Sequence, residues 1–193
     1  LNNFLNNPKL VIDIGANIGN YTAEIITKYP NCNVHLFEPA KTNFEKLKKR
    51  FVNSNIIINN SAISNIIGEG NLYTDVDGSG LASIGNRRLE HFDIEYNLSE
   101  KIEIIKFENY WEEKLEMKII DLVKIDVEGF ESLVLKAISS TVPEDFELMV
   151  IFDLIQGWGG KACRNIYVQP KFCPTRTSLT SLETIYRKGI NYC

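Results

Sequence analysis

The chain has 193 residues, 44% of them hydrophobic, and a formal net charge of −4. That length buries one good core and leaves little for a second. The acidic balance argues against nucleic acid as the main partner, since phosphate neutralisation shows as a basic face. With no charged-then-apolar leader and no run of about 18 apolar residues, the expectation is a single domain over residues 1–193, in a reduced cytosolic protein with no membrane partner.

The first predicted element is a strand, Val11-Ile12-Asp13-Ile14, which ends in an acid and runs into the turn Gly15-Ala16-Asn17-Ile18-Gly19-Asn20. The first β-α turn of a doubly wound α/β domain is where such folds place a cofactor. A dinucleotide fingerprint, G-x-G-x-x-G, needs glycine where Asn17 and Asn20 stand, and a side chain at the second position occupies the space of the pyrophosphate. The spacing is instead D-x-G-x-x-x-G. Asp13 adds negative charge beside the turn, which repels phosphate and attracts an amine or a sulfonium. S-adenosylmethionine carries both cations and no phosphate. The simpler alternative is a turn whose glycines serve packing alone.

A helix follows, with Thr22, Ile25, Ile26 and Tyr29 on one face. The second strand, Val34-His35-Leu36-Phe37, ends in Glu38 and is stopped by Pro39. An acid about 20 residues past the glycine loop, at the tip of the second strand, is placed to hydrogen-bond ribose hydroxyls. The next helix, about residues 43–51, reads as opened by a capping box, Thr42-Asn43-Phe44-Glu45, and closed by Lys46, Lys48, Lys49 and Arg50, cations that complement the macrodipole. A third strand is expected at Ile56-Ile57-Ile58. Residues 63–109 then break the rhythm: Asn71-Leu72-Tyr73-Thr74 and Ile102-Glu103-Ile104-Ile105 read as short strands around a glycine-rich turn and a polar helix, an insertion over the cofactor.

The fourth strand, Ile119 to Gly129, carries the second informative pattern. A parallel strand covered on both faces reads almost entirely apolar, yet Lys124, Asp126 and Glu128 alternate here. Buried charges are costly unless paired, so these either close the sheet as a structural ion pair or face the crevice between strands one and four. The helix after it places Phe130, Leu133, Val134, Ala137 and Ile138 on one face as core, and a fifth strand covers Glu147 to Asp153. Cys32, Cys163, Cys173 and Cys193 form no C-x-x-C pair and accompany only His35 and His91, so no zinc site is readable. Beyond Asp153, Trp158 sits between glycines in a segment that stacks on a substrate ring or serves structure. It is followed by one amphipathic stretch from about Leu179 to Lys188.

Taken together, Val11 to Gly19, Phe37-Glu38-Pro39, Asn60-Ser61-Ala62-Ile63-Ser64 and Lys124-Ile125-Asp126-Val127-Glu128-Gly129-Phe130-Glu131 resemble the FkbM family of S-adenosylmethionine-dependent methyltransferases, over roughly residues 9–153. The resemblance implies a class I methyltransferase fold: α/β, doubly wound, Rossmann-like and mostly parallel, here with residues 154–193 an atypical C-terminal segment and the last strands missing or reduced. It implies O-methylation of a hydroxyl on a sugar or secondary metabolite. Carried over by position, Asp13, Gly15, Ala16, Asn17 and Gly19 hold the methionine part, Glu38 the ribose, and Asn60 and Ser61 the adenine edge. Asp126 and Glu128 are candidates for the base that takes the hydroxyl proton, with Lys124 orienting or neutralising them. The two carboxylates equally fit a divalent cation. Two other readings stand beside it: a catalytically inactive or fragmentary S-adenosylmethionine-binding domain, and a nicotinamide-dependent oxidoreductase, which Asn17 and Asn20 disfavour.

Overall fold

The computed structural model describes residues 7–52, 55–74, 98–143, 149–152 and 166–168. Its main sheet has six strands in the order β3-β2-β1-β7-β8-β9. These are β1 (Leu10–Ile14), β2 (Asn33–Phe37), β3 (Ile56–Asn59), β7 (Leu122–Ile125), β8 (Met149–Phe152) and β9 (Ile166–Val168). All pairings are parallel except β8 with β9. The chain moves outward from β1 through β2 to β3, then returns to place β7 on the other side of β1. A reversal of this kind opens a crevice at the carboxyl ends of β1 and β7, where open α/β sheets bind ligands.

Alternate side chains of β1 enter two different cores, as the period of a strand requires. Val11 joins Val34, Leu36 and Leu122 on one face, packed with Ile25 of α1 (Asn20–Lys28) and Leu47 of α2 (Lys41–Arg50). Ile12 and Ile14 join Phe37, Val123 and Ile125 on the other. There they meet Phe107, Tyr110 and Trp111 of α3 (Phe107–Glu113), and Val134 and Ile138 of α4 (Glu131–Ser139). Both faces are thus covered by helices, and the fold is the doubly wound α/β architecture expected. No helix of the described residues is long and apolar enough to cross a membrane.

A second sheet, ordered β4-β6-β5, is built from β4 (Ala62–Ser64), β5 (Gly68–Thr74) and β6 (Leu98–Lys106). Its β5 and β6 are the short strands expected around Leu72 and Ile104, paired antiparallel from Gly68↔Ile104 to Thr74↔Leu98. The glycine-rich turn and polar helix expected between them fall on residues 75–97, outside the described residues.

Two local expectations need correction. The helix expected to open with a capping box at Thr42 begins at Lys41, with Ala40 as N-cap and no side-chain cap. Its first amides are met from elsewhere: Glu38 Oε1 accepts from Ala40 N at 2.9 Å and Glu100 Oε1 from Lys41 N at 3.1 Å. Strand β7 covers Leu122–Ile125 rather than Ile119 to Gly129, and beyond it Glu128 (φ 50°) and Gly129 (φ 100°) turn the chain through the left-handed region. Beyond β8, the chain contributes one described strand to the sheet edge, β9.

Candidate functional site

Lys124 organises the carboxyl end of β1 and β7. Asp13 and Lys124 are register partners across the parallel pair, so their side chains leave the sheet on the same face. Lys124 Nζ lies 3.2 Å from Asp13 Oδ1 and 3.4 Å from Asp126 Oδ2, and donates to the carbonyl of Gly15 at 2.8 Å. An ammonium has three protons, and three acceptors surround it. Burial on its own would lower the Lys124 pKa, but the carboxylates of Asp13 and Asp126 outweigh it and hold the ammonium above its ordinary value. The other oxygen of Asp13, which is fully buried, accepts from Thr22 Oγ1 of α1 at 2.7 Å.

The turn after β1 is folded against β2. The amides of Gly15 and Ala16 both donate to the carbonyl of Phe37, at 2.9 and 3.0 Å, and Gly19 N donates to Ala16 O at 2.8 Å. Gly15 has φ +76°, and a Cβ placed on it would stand 1.9 Å from the backbone oxygen of Asp126. Only glycine lets the two strand ends come this close. Gly19, also at positive φ, lies against Leu47 and the ring of Phe51, and its role is packing the turn on α2.

Glu38 bridges the two turns. Its Oε2 accepts from Asn17 N at 2.8 Å and its Oε1 from Ala40 N. The side chain is buried, and burial pushes its pKa up from 4.5 to about 7 against the opposing pull of the Ala40 and Asn17 amides and the Lys124 ammonium. A carboxylate has about four lone-pair sites, so two amide donors leave Glu38 able to accept hydroxyls as well.

A cavity of about 260 Å³ opens at this point, between the glycine turn, the second sheet and the start of α4. Gly15, Asn17, Glu38, Ser61, Asp126 and Glu128 line it, all of them residues expected from the sequence. Asp13, Ala16, Gly19 and Lys124 do not line it and shape it from behind. The Asn60 amide is committed to the carbonyls of Glu38 and Pro39, at 2.9 Å each, which fixes the bend after β2. Phe130 and Leu133, expected as core, line the cavity, and Leu133 is 39% exposed. Leu72 on β5 and Ile104 on β6 line it from the strands expected in an insertion over the cofactor, whereas Asn43 on α2 was expected only as part of a capping box. Among the described residues no cluster of three His, Cys, Asp or Glu is gathered as for a metal. Trp158, His91 and the three cysteines after Cys32 lie outside the described residues.

The sequence model described as "Methyltransferase FkbM domain" matches residues 13–168. No curated protein matches the chain. Among solved structures, it is similar to a precorrin-6y C5,15-methyltransferase from Geobacter metallireducens, at 13% identity over 95% of this chain and 63% of that one, with a TM-score of 0.43. It is similar to an O-methyltransferase from a trans-AT PKS multienzyme of Brevibacillus brevis crystallised with S-adenosyl-L-homocysteine, at 14% identity over 76% of this chain and 36% of that one, with a TM-score of 0.41. A chain of a fibrillarin/Nop5p complex matches at 13% identity over 95% of this chain and 61% of that one, with a TM-score of 0.47. The chain spans less than two thirds of the length of each of these structures. Because the family match runs from the acid of the glycine turn through β9, the chain belongs to the FkbM family of S-adenosylmethionine-dependent methyltransferases.

Proposed function

We propose that this chain binds S-adenosylmethionine in the cavity at the end of β1 and transfers its methyl group to a hydroxyl oxygen of a sugar or secondary metabolite. The observation that carries the reading is one cavity lined by Gly15, Glu38 and Asp126 together. The residues fit that cofactor. The Gly15 turn leaves the space that a Cβ would fill, the buried Glu38 carboxylate has lone pairs to spare for ribose hydroxyls, and carboxylates rather than phosphate-binding cations line the cavity.

When bound, the cofactor supplies an electrophilic methyl, so the protein's tasks are positioning and proton removal. Asp13 and Lys124 hold the glycine turn on β7 and keep the Gly15 carbonyl fixed. Ala16, Asn17 and Gly19 complete the turn around the methionine part. Asp126 lines the cavity with a 37% exposed side chain and is the candidate base, taking the proton of the acceptor hydroxyl. Lys124, with Nζ 3.4 Å from Asp126 Oδ2, aims that carboxylate. Glu128, held in the left-handed conformation, is the second carboxylate lining the same wall. Asn60 acts indirectly, by holding the bend that presents Glu38.

The test is methyl transfer from labelled S-adenosylmethionine to a panel of hydroxylated sugars and polyols, with calorimetric binding of S-adenosylhomocysteine and of NAD alongside. Asp126→Asn should keep S-adenosylhomocysteine affinity and lower turnover by 10²-fold or more, roughly the value of a positioned base. Tight binding with no turnover across the panel favours a cofactor-binding domain without catalysis. Binding of NAD in preference to S-adenosylhomocysteine overturns the cofactor assignment.

A further inference from the structure

The last turn of α2 carries three cations, Lys48, Lys49 and Arg50. Complementing the macrodipole accounts for a cation at this place, but not for where the Arg50 guanidinium goes. Its Nη1 leaves the helix and donates to the carbonyl of Ile18 at 2.6 Å and to Asn20 Oδ1 at 2.8 Å. Both acceptors belong to the glycine turn and the start of α1, 32 and 30 positions earlier in the chain. The next residue, Phe51, is the ring on which Gly19 packs, and the guanidinium lies 5.4 Å from the centroid of that ring. The carboxyl end of α2 thus grips the far half of the turn.

The backbone of the turn requires such a grip. Gly15, Asn17 and Gly19 all have positive φ, and Asn17, at 50°, does so while carrying a side chain. A residue other than glycine persists in the left-handed region only where its surroundings over-determine it. Asn17 is tied on both sides: Glu38 Oε2 accepts from its amide at 2.8 Å, and Arg50 holds the carbonyl of the residue after it. With Lys124 on the Gly15 carbonyl, the turn is fixed at three points by side chains from β7, the end of β2 and the end of α2. Glu38 and Lys124 are largely buried, whereas Arg50 is exposed, so it is the one tether whose removal leaves no buried charge unpaired.

We propose that Arg50 is a positioning residue of the cofactor site. It does not line the cavity, but Asn17 does. By holding the Ile18 carbonyl and the Asn20 side chain, Arg50 keeps Asn17 in the left-handed conformation that shapes this part of the wall. Hydrogen bonds from an ionised donor are directional as well as strong, so the contact, and not the positive charge at the end of α2, carries the effect. The inference rests on the proposed cofactor assignment.

The experiment is calorimetric binding of S-adenosylhomocysteine to the full chain, with melting temperatures measured alongside. Arg50→Met should weaken binding about tenfold, or 1.4 kcal/mol, at a temperature well below its melting. Lys49→Met is the control: it removes the same charge from the same exposed turn, and Lys49 has no hydrogen bond to the glycine turn among the described residues, so its affinity should match the wild type. Arg50→Lys keeps a cationic donor and should recover part of the loss. Asn20→Ala leaves α2 untouched and should weaken binding about threefold, but should cost nothing further in the Arg50→Met background, because the two residues share one bond. It also keeps the test decisive if Arg50→Met folds poorly. Equal weakening in Arg50→Met and Lys49→Met, or a lowered melting temperature with unaltered affinity in Arg50→Met and Asn20→Ala, overturns the inference and leaves the cofactor assignment intact. Failure of the wild type to bind S-adenosylhomocysteine overturns the assignment itself.

Discussion

The ammonium of Lys124 donates to the backbone carbonyl of Gly15 at 2.8 Å. The residue that breaks the apolar pattern of β7 therefore fixes the turn of β1, and it does so while neutralising the buried Asp13. Removing one partner of a buried ion pair leaves the other charge uncompensated, which costs about 3–5 kcal/mol. Lys124→Met is expected to destabilise the chain by that order in chemical denaturation. Adding Asp13→Asn should recover part of the loss, since the orphaned carboxylate is then gone. Additive losses in the double variant would show that the two side chains do not act as a pair.

The two glycines of the turn predict different failures. Both have positive φ, where a side chain adds roughly 1–2 kcal/mol of strain. At Gly15, however, the obstacle to a Cβ is the Asp126 backbone oxygen at 1.9 Å, which moves only with the end of β7. At Gly19 it is the rim of the Phe51 ring at 2.4 Å, which is a side chain. Gly15→Ala is expected to abolish measurable S-adenosylhomocysteine binding. Gly19→Ala should lower the melting temperature by several degrees and still bind. Retained affinity in the Gly15 variant would remove the close approach of β1 and β7 from the account of the site.

Glu38 predicts a pH dependence. With its pKa raised to about 7, the side chain is mostly neutral at pH 6 and mostly ionised at pH 8. A ribose hydroxyl donates best to the ionised form. If binding selects the carboxylate, affinity for S-adenosylhomocysteine should rise roughly tenfold from pH 6 to pH 8, following the ionised fraction. Binding near pH 6 should release close to one proton, measurable by calorimetry in buffers of different ionisation enthalpy. An affinity flat across this range would place the ribose elsewhere than on Glu38.

What was legible in the sequence follows from how local the cause is. The strand Val11 to Ile14, its terminal acid and the glycine spacing are short-range signals, and the first half of the main sheet follows from them. The alternation of Lys124, Asp126 and Glu128 was visible because charge stands out in a buried strand. That Lys124 pairs with Asp13 was not visible, since the partner lies 111 positions away in the numbering. The start of α2 was misread for the same reason. A capping box is a four-residue pattern, whereas the Lys41 amide is met by Glu100 from the second sheet. Phe130 and Leu133 have the helical spacing of core residues. Spacing shows which face they share, but not that the second sheet leaves a cavity over part of that face.

His35 carries a prediction for stability in acid. On β2 it is buried beneath α3, with Nδ1 at 2.7 Å from the Tyr110 hydroxyl, which also accepts from Asn59 Nδ2 at 3.1 Å. Burial, with the positive charge of Lys118 adding to it, lowers the His35 pKa from 6.5 to about 4. The unfolded chain therefore takes up a proton near pH 6.5 that the folded chain refuses until about pH 4. The stabilisation from the neutral imidazole is fully present above pH 6.5 and is lost as pH falls towards 4. Glu38 contributes with the opposite sign over part of this window, since the folded chain holds its proton up to about pH 7, so the comparison must be between variants. Relative to the wild type, His35→Gln should be less stable at pH 7, having lost a well-fitted ring, and the deficit should shrink by on the order of 2 kcal/mol as pH falls to 4. Urea denaturation of both proteins across this range measures the difference directly, and a deficit independent of pH would mean that His35 does not titrate differently in the folded and unfolded chains.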